Sequence, residues 1–258
     1  MIDAVFIIGP MRTGTTYLEG LLRSTTLFRF PRSTKESFYL DLKRFSIEEY
    51  LTRFSAEDEN LPIAESAPYV FTSEQAMLNI AANFKNPLLL SVYRNQEALR
   101  RSIAGHMEAY GLDSKAGISS PTQLSDYRTF LPKWRRLVPA ARCILLDFAS
   151  LERNPEQLLR KIVGCSASDV CEVNFQEIAL EKNSASVARS KRVNRWKTHL
   201  SIFLKRNNIL VFHRVYEKLS LKKVFNKAAS FPRESSLIDH LTEDDCQEFS
   251  DLGWEILS

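Results

Sequence analysis

The sequence predicts an α/β fold in which helices cover both faces of a central parallel sheet. Three apolar segments, residues 4–8, 87–93 and 142–148, have the length and composition of buried strands. A polar break and then a stretch of helical pattern follow each of them. Because alternating strands and helices build parallel sheets, we expect ligand sites at the carboxyl ends of these strands.

The helices are assigned from apolar periodicity and from residues that favour helix starts. The predicted helices cover residues 17–22, 46–54, 95–110, 127–137 and 155–163. Asn95 is the expected N-cap of the third, because Leu99, Ile103 and Met107 form one apolar stripe behind it. Asn154 followed by Pro155 gives the same signal, an N-cap and a first helical residue, for the last.

The remaining segments complete one predicted domain that spans residues 1–258. Residues 113–125 are rich in Ser and Gly, which predicts a loop or mobile cover. Residues 198–227 have an amphipathic helical pattern, so the C-terminal part is expected to be helical from about residue 198. No Gly/Ser-rich linker divides the sequence.

Charge is distributed unevenly along a sequence whose net charge is +4. Residues 189–227 are rich in Lys and Arg with Glu217 as the only acid, whereas residues from 234 onward are acidic. The basic stretch indicates either a solvated helix face or a surface that attracts a polyanionic ligand. No nucleic-acid motif accompanies these charges, so nucleic acid is not an expected partner.

The cysteines and the hydropathy pattern predict a cytoplasmic protein. The four cysteines are widely spaced and form no CxxC pair, which argues against a zinc cage or a disulfide framework. No signal-peptide pattern precedes the first strand, and no apolar run reaches membrane-spanning length. We therefore expect no membrane anchor.

The segment between the first strand and the first helix has the residues of an anion-binding loop. Gly9 and Gly14 are separated by four residues, and a hydroxyl follows at Thr16, as in a Walker A loop. The lysine that a nucleotide triphosphatase needs is replaced by Thr15, and Arg12 is the only cation in the loop. Free N–H groups at the start of the helix would also attract an anion.

This loop resembles the 5′-phosphosulfate-binding loop of sulfotransferases that use 3′-phosphoadenosine 5′-phosphosulfate (PAPS). The resemblance implies a P-loop, nucleotide-kinase-like three-layer fold. It also implies that the 5′-phosphosulfate is held by a run of loop residues: Arg12, Thr13, Gly14, Thr15 and Thr16. Arg12 is in addition an expected catalytic residue, because its guanidinium could bind the bridging and non-bridging oxygens of the donor. A sulfuryl group carries less negative charge than a terminal phosphoryl group, so no metal is expected.

Two further segments resemble the parts of the same family that hold the 3′-phosphate. Arg94 ends the second predicted strand and Ser102 follows eight residues later, which is the family spacing, although Gln96 stands where the family usually has Pro. A later Asn-Ser…Arg-Ser segment resembles a loop that closes over the nucleotide. It offers Arg189 as the first choice, and Arg192 as the second, for another cation on the 3′-phosphate.

The expected catalytic residues come from resemblance to a Lys-Glu-x-x-Phe-Phe motif of heparan sulfate-type sulfotransferases. Lys35 and Glu36 match its first two positions, so Glu36 is the implied base and Lys35 lies near the sulfate oxygens. Asp41 is a candidate for orienting the acceptor hydroxyl, and His106 is the rival base. Residues 63–69 resemble another family block but hold Ser66 where a lysine is usual.

We therefore expect a PAPS-dependent sulfotransferase that modifies a hydroxyl of a saccharide or small-molecule acceptor and releases adenosine 3′,5′-bisphosphate (PAP). One alternative is an ATP-dependent P-loop kinase of small molecules, with Asp147 as the carboxylate for Mg²⁺. The other is a non-catalytic anion-binding module that uses the basic region 189–227.

Overall fold

A computed structural model describes most of the chain, with gaps concentrated in the C-terminal third. The described residues are 2–32, 35–55, 58–110, 119–148, 151, 155–164, 186–188, 191–207, 209, 226–228 and 241–257. None of the helices among these residues combines the length and apolar character needed to cross a bilayer.

Five parallel strands form the central sheet, in the spatial order β2-β1-β3-β4-β7. The strands are β1 (Ala4–Ile7), β2 (Ile63–Ser66), β3 (Pro87–Tyr93), β4 (Arg142–Asp147) and β7 (Glu255–Leu257). Helices flank this sheet, so the predicted α/β class with a central parallel sheet is confirmed. The other two strands, β5 (Ser186–Ala188) and β6 (Asn226–Ala228), pair antiparallel with each other.

The strand order places a topological switch point between β1 and β3. From β1 the chain continues to β2 on one side, then crosses back to β3 on the other side, so Ile7 pairs with both Ser66 and Leu90. In open parallel sheets the connections leave such a point in opposite directions, and a crevice opens at the carboxyl ends of the two strands. The glycine loop after β1 and Arg94 after β3 both start at this crevice.

Nine helices lie among the described residues. They are α1 (Thr15–Arg23), α2 (Ile47–Leu51), α3 (Glu74–Asn83), α4 (Gln96–Tyr110), α5 (Pro121–Leu124), α6 (Tyr127–Leu137), α7 (Pro155–Val163), α8 (Lys191–Arg206) and α9 (Glu243–Asp251). A short 3₁₀ turn, Pro68–Val70, follows β2.

Successive side chains of the strands point to opposite faces of the sheet, and each face has its own apolar core. Val5 and Ile7 face the core that α1 and α7 cover, whereas Ala4 and Phe6 face the core covered by α3, α4 and α6. Both faces are buried, which explains why the predicted strands are continuously apolar instead of alternating. The result is three layers, with helices on each side of the sheet.

The longer predicted helices agree with the structure because their caps are local. Asn95 Oδ1 accepts hydrogen bonds from the backbone N–H groups of Glu97 and Ala98, both at 3.1 Å, so α4 starts where expected. Helix α6 has the predicted bounds, and Asp126 caps it by accepting from Thr129 N at 3.0 Å. The predicted helix 46–54 is shorter: Ser46 is the N-cap of α2, which ends at Leu51.

Several predictions for the rest of the chain are wrong. Strands β2 and β7 were not expected, because segments of three or four residues are too short to show a period. Of the predicted loop 113–125, residues 113–118 lie outside the described residues, and the rest contains α5, whose first turn has a capping box between Ser120 and Gln123.

The predicted helical region 198–227 is described only in part, because residue 208 and residues 210–225 lie outside the described residues. Helix α8 covers the start of this region but begins earlier, at Lys191, and residues Asn226–Ala228 form a strand. The last described strand, β7, extends the central sheet beside β4. The polar first turn of α8 carries no apolar stripe, which is why periodicity alone misplaced its start.

Candidate functional site

The loop between β1 and α1 has a backbone that only small residues allow at two points. A Cβ atom at Gly9 would lie 2.9 Å from both Ser91 Oγ and Val92 N, so β1 and β3 approach closely where the loop begins. Gly14, the N-cap of α1, has φ +80°, in the left-handed region that favours glycine. Arg12 also adopts a left-handed conformation, with φ 72°, and its side chain is exposed.

The start of α1 is arranged to receive an anion. Gly14 has no side chain to cap the first turn, and that turn carries no acidic residue. Its N–H groups and the positive end of the helix dipole therefore face the mouth of the loop. Thr16 is exposed there, whereas Thr15 is buried. The fully buried Thr13 donates its hydroxyl hydrogen to Pro10 O at 2.7 Å, so its side chain shapes the loop itself.

Three residues that were predicted from separate motifs meet beside this loop. Arg94 Nη1 donates to the carbonyl oxygen of Arg12 at 3.2 Å, and Arg12 Nε lies 3.5 Å from Ser102 Oγ. The guanidinium of Arg94 also lies over the ring of Phe148, 5.0 Å from its centroid. The expected 5′-group and 3′-group cations are thus neighbours, with Arg12 extending from the loop toward the helix that carries Ser102.

Tyr127 supports the turn on which Arg94 stands. Its hydroxyl donates to Val92 O at 2.8 Å and accepts from the backbone N–H of Arg94 at 3.2 Å. A side chain of α6 therefore holds the end of β3 and the backbone of Arg94.

Lys35 reaches the other side of the loop mouth. Its Nζ donates to Thr16 Oγ1 at 2.7 Å and lies 3.9 Å from Glu19 Oε2. Burial lowers the pKa of Lys35, while the carboxylates of Glu36 and Glu19 act in the opposite direction. Glu19 belongs to none of the sequence motifs; it is a buried residue that also accepts a hydrogen bond from Arg23 Nε at 2.8 Å. Its only signal in the sequence is an acid within an otherwise apolar helix stripe.

Glu36 is half-buried and lies among charged groups of both signs. Burial raises the pKa of its carboxyl, whereas the nearby charges of Lys35 and Lys205 lower it. The pKa of the rival base His106 is lowered to about 4, first by burial and then by the charge of Arg12. His106 is therefore neutral at neutral pH, and it lies near the Arg12 side of the site.

Glu65 is a buried carboxylate that binds the residue after Glu36, a role that the sequence motifs do not indicate. Its Oε1 accepts from Ser37 N at 2.6 Å, and its Oε2 accepts from Ser37 Oγ at 3.0 Å and from the Tyr50 hydroxyl. Tyr69 Oη lies 3.5 Å from Oε1. Burial raises the pKa of Glu65 to about 7, although the hydrogen bonds from Tyr50 and Ser37 oppose the rise. Glu65 thus anchors the residue that follows Glu36.

Other predicted residues have different places. Asp41 Oδ2 forms an ion pair with Arg206 Nη2 at 2.6 Å, so this carboxylate already has a partner within the protein. Ser66 is fully buried, and its hydroxyl has no hydrogen-bond partner among the described residues. Arg189 lies outside the described residues, and Arg192 lies in the first turn of α8.

Asp147, the alternative metal ligand, is buried at the carboxyl end of β4. Within the described ranges, no three His, Cys, Asp or Glu side chains lie close enough together to ligate a metal ion.

Comparison with known proteins gives a structural likeness only. No protein-family model matches the chain, and no curated protein matches it. Among solved structures, the chain is similar to a sulfotransferase from Alicyclobacillus acidocaldarius, with a TM-score of 0.49 and 13% sequence identity. The match covers 81% of this chain and 96% of that one. Similarity at this level does not assign a function, so the functional inference rests on the residues of the site.

Proposed function

We propose that this protein transfers a sulfuryl group from PAPS to a hydroxyl of a saccharide or small-molecule acceptor. The observation that carries the proposal is the meeting of Arg12, Arg94 and Ser102 beside the loop between β1 and α1. A donor with phosphates on both the 5′ and the 3′ carbons requires two anion-binding sites, and Arg94 with Ser102 provides a second one next to the N-terminus of α1. ATP has no 3′-phosphate for Arg94 and Ser102 to hold.

The residues present fit such a donor. The N–H groups of the first turn of α1, with Thr16 and Lys35 beside them, would hold the 5′-phosphosulfate. Arg94 and Ser102 would hold the 3′-phosphate, because a guanidinium offers five donors in a fork that suits phosphate. Lys35 would also supply the positive charge that the family lysine gives at the position of the buried Ser66.

Glu36 is the proposed base. In the reaction the acceptor oxygen attacks sulfur, the bond between sulfur and the 5′-phosphate oxygen breaks, and PAP leaves with that electron pair. Glu36 takes the proton of the acceptor hydroxyl, and burial helps because a raised pKa makes its carboxylate a stronger base. Lys35 and the start of α1 offset the negative charge that grows on the leaving phosphate.

Calorimetry tests the choice of donor. The protein is titrated with PAP in EDTA and, separately, with ATP and Mg²⁺. Tight binding of PAP without metal, and weak binding of ATP, is the expected result. A preference for ATP with Mg²⁺ would support the kinase alternative and refute the proposal. Failure to bind either nucleotide would leave an anion-binding module as the better description.

Turnover tests the base. PAP release from PAPS is measured with p-nitrophenol or N-acetylglucosamine as the acceptor probe, and with water alone. Glu36→Gln is expected to lower kcat by about a hundredfold, because the residue that accepts the proton is lost. PAP affinity should stay unchanged, because no proposed contact with the nucleotide is removed. Glu59→Gln, which alters an exposed carboxylate before β2, is the matched control and should behave like the parent. Parental turnover in the Glu36 variant would rule out the assignment.

A further inference from the structure

The C-terminal end of α8 rests on the segment that carries Glu36. Arg206, the last residue of the helix, donates from Nε to the carbonyl oxygen of Phe38 at 3.2 Å. Its Nη2 donates to Asp41 Oδ2 at 2.6 Å. One guanidinium thus bonds a backbone group two residues after Glu36 and a carboxylate five residues after it. These contacts join parts of the chain that are more than 160 residues apart.

Phe38 has a backbone conformation that needs support. Its φ of 53° lies in the left-handed region, which is unfavourable for a residue with a Cβ atom and persists only where the surroundings hold it. The Phe38 ring stacks on Tyr69 with 4.5 Å between centroids, and Lys205 Nζ lies 5.1 Å from the Phe38 centroid. The backbone conformation of Phe38 sets the direction of its carbonyl group, and Arg206 donates a hydrogen bond to that carbonyl.

The C-terminal end of α8 is in turn held by a residue next to α2. Arg53, a buried residue just after α2, donates to the carbonyl oxygens of Lys205 and Arg206, the latter at 2.9 Å. These carbonyls belong to the last turn of α8, where a helix has no internal donors left. Arg53 therefore caps the helix and fixes the origin of the Arg206 side chain.

We propose that Arg206 is a positioning residue for Glu36: it holds the left-handed conformation of Phe38 and so sets the direction of the chain at the base. The inference rests on the proposed function, because it assigns the base to Glu36. Both anchors follow Glu36 directly: Ser37 is bound by Glu65 and Phe38 by Arg206, so Glu36 stands at the start of a short segment that is held at two points. Without the second anchor, Phe38 can relax to an ordinary φ and turn Glu36 away from the loop.

The experiment measures kcat for PAP release, the Kd for PAP, and amide hydrogen exchange over residues 35–42 and 9–16. Arg206→Gln is expected to lower kcat by about thirtyfold or more, since a displacement of about 1 Å at a reacting group costs about a hundredfold. PAP affinity should stay within about threefold, because the donor loop is untouched. Exchange should rise in residues 35–42 and not in 9–16. Arg206→Lys should be intermediate, because one ammonium cannot serve both acceptors as a fork does.

Two further variants separate positioning from loss of stability. Arg142→Gln removes another ion pair of an arginine with a carboxylate, to Glu255 at 2.8 Å. Arg142 is the first residue of β4, at the end of the sheet away from the site, so this variant should leave kcat unchanged. Phe38→Gly puts a residue at 38 that adopts positive φ without support. In that background Arg206→Gln should lower kcat by no more than about threefold relative to Phe38→Gly alone.

Specific results would overturn the inference. They are parental kcat in Arg206→Gln, equal losses of kcat with and without Phe38→Gly, or a fall in PAP affinity that matches the fall in kcat. A parent protein that neither binds PAP nor releases it from PAPS would instead refute the proposed function. The two failures are therefore distinguishable.

Discussion

Replacing the buried Glu65 by Gln should change how the stability of the protein depends on pH. The carboxyl titrates near 7 in the folded protein and near its ordinary value of 4.5 in the unfolded chain. Between these values the folded protein binds a proton that the unfolded chain has released, so the free energy of unfolding falls as pH rises. Each pH unit contributes about 1.4 kcal/mol, which gives about 3 kcal/mol in total from this one group.

The Glu65→Gln variant lacks this loss because its amide does not ionise. The amide can replace the protonated carboxyl: its oxygen accepts from Ser37 N, and its NH₂ group can donate to the hydroxyls of Ser37 and Tyr50, which can accept as well as donate. The variant should therefore gain about 2.5 kcal/mol relative to the parent between pH 5 and pH 8. Below pH 4.5 the two proteins should have the same pH dependence at this site.

Urea unfolding at pH 5, 6, 7 and 8 measures the difference in free energy of unfolding between variant and parent. Glu59→Gln is the control, and its difference should stay constant within about 0.5 kcal/mol. A constant difference for Glu65→Gln as well would show that the pKa of Glu65 is not raised in the folded protein. It would mean that the hydrogen bonds to Glu65 keep the carboxylate ionised throughout and that burial does not dominate.

Two further predictions concern glycine positions and the proposed 3′-phosphate site. Gly9→Ala should lower the free energy of unfolding by about 1–3 kcal/mol, because its Cβ would meet the backbone nitrogen of Val92 at 2.9 Å. Gly105→Ala, in α4 with no atom within 4 Å of the new Cβ, should instead raise it by about 0.5–1 kcal/mol, and urea unfolding that ranks the two the other way would contradict this account. Arg94→Gln should weaken PAP binding about 10- to 100-fold, since a charged hydrogen bond is lost, but leave adenosine 5′-monophosphate binding within about threefold. Calorimetry in EDTA measures both, and equal losses for the two nucleotides would count against a 3′-phosphate contact.

Much of the fold follows from the sequence where the signals are local. Strand β3 and helix α6 have the predicted bounds because each is long, and because Pro87 and Asp126 mark their starts. Strand β7 has three residues, and what makes it a strand is its neighbour β4, which lies more than 100 residues away. Helix α5 similarly depends on a capping box within a segment whose composition is that of a loop.

The site divides in the same way. The nearness of Arg12 and Arg94 follows from two strand ends, since β1 and β3 are adjacent and parallel. The Glu65 and Arg206 anchors were not predicted, because each binds the Glu36 segment from a distant part of the chain. Glu65 lies in the family-like segment 63–69, but that resemblance does not link it to Ser37, and Arg206 belongs to no motif. For the first, the sequence shows only a single acid in the otherwise uncharged run 61–70, just before Pro68. For Arg206 the sequence gives no signal that distinguishes it from the other arginines.

A crystal structure with bound PAP would show whether Arg94 and Ser102 hold the 3′-phosphate. We expect the 3′-phosphate oxygens within about 3 Å of the Arg94 guanidinium and near Ser102 Oγ, with the 5′-phosphate at the first turn of α1 and no metal ion between protein and nucleotide. A structure in which the 3′-phosphate lies elsewhere, away from Arg94 and Ser102, would show that the assignment is wrong.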